Sequence, residues 1–152
     1  MYEYSIYRIS EEIARHYYRK SDLLYRFLKE YQSDTERLYL QAQYIYITQY
    51  ISQALLESDI KKYVPTDVYY QFNRKQIEIY NKNKSITLQI NNNCIHFRCE
   101  SLHDAEDFLF PVLRIFEPFL FVVNHSLENY GWISPITKTK QYEENQVLYS
   151  SR

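Results

Sequence analysis

Glycine is almost missing: Gly131 is the only one in 152 residues, where an average chain of this length carries about 11. No phosphate-cradling loop, dinucleotide fingerprint or nucleophile elbow can be built with so little of it. Cysteine is nearly as scarce. Cys94 and Cys99 stand an odd number of residues apart in one alternating segment. They therefore point to opposite faces of a strand, which argues against a mutual disulfide and suits a reducing, cytoplasmic setting. Charge of one sign is lacking too. The formal net charge is -1, so no bulk field exists to hold nucleic acid or an anionic membrane. Long apolar runs are absent: the richest stretch, Phe108 to Val123, is broken by Pro111, Arg114, Glu117 and Pro118, and does not read as a membrane span. The N-terminal MYEYSIYRIS lacks the basic start and continuous apolar stretch of a secretory signal.

Catalytic patterns are equally hard to find. The four histidines, at 16, 96, 103 and 125, are scattered. Cys94 and His96 share a strand face, but two ligands do not make a zinc site. Asp104, Glu106 and Asp107 read as the solvated first turn of a helix, where carboxylates complement the dipole, rather than as an acid-base cluster. No metal and no cofactor are expected, and nothing gives a positive reason to expect an enzyme.

What is present in excess is aromatic: 18 Tyr, 8 Phe and 1 Trp. Tyrosine offers stiff contact area and one hydroxyl at low entropic cost, which enriches it at protein interfaces. For any single Tyr, however, a place in the core or its rim is the commoner fate. The alternation of Tyr2–Ile9 predicts a first strand. Ser10, followed by Glu11 and Glu12, predicts a helix N-cap and a helix to about Arg19. Ser21 and Asp22 start a second helix, with Leu23, Leu24, Phe27, Leu28 and Tyr31 at helical spacing. Ser33 with Glu36 has the form of a capping box and predicts a third, running to about Gln43. Tyr44–Thr48 is ambiguous, and Ile51–Tyr63 returns to helical spacing before Pro65.

The period then changes. Ile86, Leu88 and Ile90 alternate with polar residues, as do Ile95, Phe97 and Cys99. Between them stands Asn91-Asn92-Asn93, a hairpin signal because Asn tolerates positive φ. Ser101 and Asp104 open a helix to about Phe116, with Phe108, Leu109, Val112 and Ile115 inward; Pro111 inside it costs roughly 3 kcal/mol unless the helix bends or starts late. Phe119–Val123 reads as a central strand and Tyr130–Ile133 as a last one, with Gly131 easing a tight backbone approach. The expected fold is α+β: a mixed, mainly antiparallel sheet of about five strands with helices packed on it. Residues 1–136 form one domain and residues 137–152 a polar tail.

The first helix carries more apolar surface than a core can use. In EEIARHYYRK, Ile13 and Tyr17 lie four apart on one face, and Ala14 and Tyr18 on the next. So short a helix has one face to give the core, which leaves one pair outward, rimmed by Arg15, His16 and Arg19. Two anchors within a charged rim have the form of a partner-binding surface; packing of both pairs into a core is the alternative that the spacing leaves open.

The segment YRISEEIARHYYRKSDLLYRFLKEYQ resembles the opening of the sporulation inhibitor of replication family, SirA, of endospore-forming bacteria. QYIYITQ at Gln43–Gln49 and YGWISPI at Tyr130–Ile136 agree in order and spacing, with weaker matches in DAEDFLFPVLRIFEP. Ile13 stands where the family has Phe, Pro111 where it has an ordinary helical residue, and the regions Glu57–Lys82 and beyond Lys138 match poorly. The resemblance implies a cytoplasmic, non-enzymatic protein made at the onset of sporulation. It would bind the N-terminal domain of the replication initiator DnaA, as a monomer, and block new rounds of initiation without touching nucleic acid or membrane. It also implies the contact residues: Ile13 and Tyr17 with the neighbouring His16 on the first helix, Gln43 and Tyr46 in the second block, and Pro135, which by its chemistry shapes a turn. Two other functions are open on residue types alone: a single-strand nucleic-acid binder using Tyr beside Arg74, Lys75, Lys82 and Lys84, and a sensor of a small ligand in a Tyr-lined cleft.

Overall fold

A computed structural model describes residues 1–135; the expected polar tail lies outside the described residues. Seven strands form one sheet in the order β2-β3-β4-β5-β1-β6-β7. They are β1 Tyr2–Arg8, β2 Tyr69–Phe72, β3 Ile77–Asn81, β4 Lys84–Asn91, β5 Cys94–Cys99, β6 Leu120–Asn124 and β7 Asn129–Trp132. Every pairing among them is antiparallel. The α+β architecture is as expected, but the sheet has seven strands rather than about five and no parallel pair. The two extra strands, β2 and β3, lie among polar turns (NRKQ, NKNK) that hide the alternation of Ile77 and Ile79.

The helices are α1 Glu11–Tyr17, α2 Ser21–Ser33, α3 Leu38–Ile47, α4 Gln53–Tyr63, α5 Leu102–Phe108 and α6 Phe110–Phe116, with a 3-10 turn at Tyr18–Lys20 joining α1 to α2. Strand alternation sorts the core into two layers. Tyr4, Ile6, Ile95 and Phe97 face α4, α5 and α6. Tyr7, Ile9, Cys94, Phe121 and Val123 face α1 and α2. Both faces of β1 are thus covered along its second half, which explains four consecutive buried residues. A fully buried Phe97 or Leu28 contributes about 2–3 kcal/mol by leaving water. Cys94 and Cys99 do fall in different layers, both as free thiols.

Local signals were honoured unevenly. Ser10 occupies the N-cap of α1 in an extended conformation but makes no side-chain cap bond, whereas Ser52 and Ser101 accept from Leu55 and Asp104. The capping box expected at Ser33 does not exist: Ser33 ends α2 and donates to the Lys29 carbonyl. The third helix instead starts at Leu38 and absorbs the ambiguous Tyr44–Ile47. Asn92 takes positive φ (56°) at the β4–β5 turn. Pro111 is accommodated by a break at Leu109 that places it in the first turn of α6, where its missing N–H costs no bond. The break rotates Ile115 out to solvent instead of inward. Gly131 eases no close approach, since a Cβ there would meet nothing within 4 Å.

Candidate functional site

The start of α1 and the end of α3 are distant in sequence and are tied together through the backbone. Ser10 N–H donates to Ile47 C=O (2.8 Å), and Gln49 N–H donates to Arg8 C=O (2.7 Å). Ile9 and Thr48 form a single antiparallel bridge. From behind, Asn93 donates its amide to Thr48 Oγ1 (2.8 Å) and Ile51 N–H donates to Asn92 C=O (2.8 Å). The segment after α3 is therefore clamped between β1 and the β4–β5 turn, and α3 must lie beside α1.

Between these helices and α2 runs a groove of about 300 Å³. Ile13 and Tyr17 of α1 line it, with Leu23, Leu24 and Phe27 of α2 below and Gln43, Tyr46 and Ile47 of α3 opposite. Four of the six residues singled out from the sequence, Ile13, Tyr17, Gln43 and Tyr46, thus share one concave wall. Of the inward pair, Ala14 is fully buried, and Tyr18 packs its ring 5.9 Å from Trp132. Ile13 and Tyr17 are half-buried rather than projecting. The surface is a hollow rather than a peg. His16 is exposed on the rim, its ring edge-on to Tyr17 at 4.7 Å. Arg15 is held to Glu11 (3.0 Å) and lies over the Phe119 ring. Pro135 is exposed beyond β7 and does not line the groove.

The sequence did not single out Leu23 and Phe27 for this wall. Their helical stripe reads as core, yet Leu23 is 43% exposed and Phe27 only half-buried, so the edge of the stripe faces the groove. The wall is stiffened by rings: Tyr44 stacks on Tyr31 (4.0 Å) and meets Tyr7 edge-on (6.1 Å), while Tyr31 stacks on Phe27 (6.4 Å). Burial raises the hydroxyl pKa of Tyr7 and Tyr44 well above the usual phenol value, so these rings stay neutral and act as packing.

The groove chemistry is apolar, with one carboxamide (Gln43) and two phenols as polar handles. The groove contains no His, Cys, Ser, Asp, Glu or Lys, and no group of three or more His, Cys, Asp or Glu able to hold a metal occurs among the described residues. The basic residues do not form a stripe either: Arg74 and Lys75 sit on the β2–β3 turn, Lys82 on the β3–β4 turn, and Lys84 faces Asp104 at 3.6 Å. No helix among the described residues is long and apolar enough to cross a membrane. A second, polar hollow lies on the same face of the sheet as α1 and α2, where those helices leave it open and Ser5, Gln89, His96, Arg98 and His125 converge. Burial depresses both imidazoles; the charges of His96 and Lys29 lower His125 further, while Glu3 opposes the shift at His96.

Comparison with known proteins decides the lineage. Residues 2–137 match the family model described as Sporulation inhibitor of replication protein SirA. The chain belongs to the SirA family. A curated member, the Sporulation inhibitor of replication protein SirA of Bacillus subtilis (strain 168), is 25% identical over 138 residues, covering 88% of this chain and 93% of that protein. The SirA match spans β1 to β7 and thus both layers of the core and the whole groove.

Proposed function

We propose that this chain restrains replication initiation during sporulation by docking the groove between α1, α2 and α3 on the N-terminal domain of the initiator DnaA. Family membership supports the general role, inhibition of replication. The observation that carries the partner-binding part is convergence: Ile13 and Tyr17 meet Gln43 and Tyr46, from a helix about thirty residues away in sequence, on one solvent-facing wall. A structural core has no use for a wall whose far side is water; Tyr46 is 66% exposed. An apolar hollow with few polar handles fits a projecting apolar side chain of a folded partner.

On this reading inhibition needs no chemistry. Occupying the initiator's assembly surface is enough, and the chain acts as a stoichiometric, cytoplasmic competitor. Such regulatory interfaces fall toward the small end, on the order of 1,200 Å² in total, so a few anchors dominate. Binding of the initiator's N-terminal domain, followed by calorimetry, tests it: Tyr17→Ala and Tyr46→Ala should each weaken affinity by about 2 kcal/mol. Wild-type affinity in both variants, with the fold intact by circular dichroism, rejects this surface.

A further inference from the structure

The groove occupies only one flank of α3. On the other flank lies a second hollow of about 420 Å³, bounded by Tyr31, Tyr44, Ile45 and Tyr50 with Asn92 and Asn93 at its end. Between the two, the crest of α3 is as apolar as its underside, yet it faces solvent. Leu38 is 77% and Ile45 is 70% exposed, whereas Leu40 is the helix's one buried residue. Tyr50, just beyond the helix, is 63% exposed. No Asp, Glu, Lys or Arg occurs between Arg37 and Glu57, so the segment itself adds no charge; the cations that approach it stand at its ends, Arg37 over the Tyr39 ring and Arg8 on the Tyr50 carbonyl. The polar atoms beside it are largely spent within the chain: Asn93 donates to Thr48, Asn92 C=O accepts from Ile51, and Gln41 donates to Thr35 C=O.

We propose that α3 is a ridge straddled by its partner, and that the second hollow, with Ile45 and Tyr50, is the other half of the same docking surface. The inference rests on the reading of the first groove as the DnaA site, and assigns the same initiator domain to both flanks. Two observations favour one occupant over two. Ile45 and Tyr46 border the two hollows from either side of the crest and are 70% and 66% exposed, so the hollows share one apolar rim. A stable complex also buries roughly 600–800 Å² on each side, more than a groove for one or two side chains supplies, and the crest is the apolar surface continuous with it. The partner's matching face must be uncharged and apolar, with projections on either side of a channel for α3.

The test uses the full chain and the initiator's N-terminal domain as titrant. Ile45→Asp and Tyr50→Ser change side chains that pack on nothing in the core; the Tyr50 carbonyl that accepts from Arg8 is untouched. Each should weaken binding about tenfold or more with an unchanged thermal midpoint, and Ile45→Ala should do so to a lesser degree. Affinity within twofold of wild type for both, while Tyr46→Ala still weakens binding, overturns the two-flank site and leaves the groove reading standing; loss of effect in Tyr17→Ala and Tyr46→Ala as well would instead remove the groove reading itself. Sedimentation of the chain alone closes the remaining route: a dimer abolished by Ile45→Asp, with initiator affinity unaffected, overturns the proposal by giving the ridge to a second copy.

Discussion

Tyr17 and Tyr46 line the same groove and are not equivalent. Tyr46 is mostly solvent-exposed and Tyr17 half-buried beside His16. Truncating Tyr46 should leave thermal stability within about 0.5 kcal/mol, whereas Tyr17→Ala should cost about 1 kcal/mol or more of stability besides its effect on binding; paired melts of the two variants separate these. The two shifted histidines make a second residue-scale expectation. Burial holds His96 and His125 below the ordinary imidazole value of 6.5. Each binds its proton more weakly folded than unfolded, so their contribution is complete above pH 6.5 and is lost as pH falls through that value toward the folded ones. His125 is the sharper case. Its Nε2 lies 3.3 Å from the Tyr7 hydroxyl and its Nδ1 is buried without a partner, so a second ring proton has nowhere to go. The thermal midpoint should drop between pH 7.5 and 5.5, and His125→Gln should flatten that drop; a midpoint insensitive to pH over this range contradicts the assignment.

At the scale of elements, α3 is where sequence and structure part most informatively. Its apolar residues go all the way round, so periodicity could not say which face is inside, and Tyr44–Thr48 stayed ambiguous between helix and strand. Ser33–Glu36 had the spacing of a helix start and is not one, because α2 extends to Ser33 and the chain turns before Leu38. Tertiary packing fixes α3 instead: the Tyr44 ring sits between Tyr7 and Tyr31, and Thr48 is held from β1 and the β4–β5 turn. Tyr44→Ala should therefore destabilise the protein by about 3 kcal/mol and loosen the groove wall; chemical denaturation measures the first. By contrast, α1 was legible in part, because so few residues had to divide two apolar pairs: Ala14 is buried as that division requires, while Ile13 and Tyr17 are half-buried rather than outward and Ile13 packs against the core. The strands β4 and β5 were legible from clean alternation, β2 and β3 were not, and Pro111 announced a break without saying that Ile115 would swing outward.

The whole molecule asks two layers of helices to cover one sheet, and they cover it unequally. Helices α4, α5 and α6 close one face, while α1, α2 and α3 close half of the other; the groove lies within the second, thinner layer. No single segment announces that groove, because it exists only once β1 carries α1 back beside α3. What the sequence offered was the resemblance, which named residues in separate blocks before any reason existed for them to touch. With a net charge of -1 and an uncharged ridge, association with the initiator should be led by apolar burial. Affinity should fall less than about threefold between low and physiological salt; a steep decline indicates a charge-led surface elsewhere. The most direct measurement is a titration of the isotope-labelled chain with the unlabelled N-terminal domain of DnaA, followed by backbone amide shifts. Perturbations concentrated on α1, α2 and α3 about Ile13, Tyr17, Gln43 and Tyr46 are the expected result, and a response centred on the His96–His125 hollow or the basic hairpin turns, with those residues silent, contradicts the account.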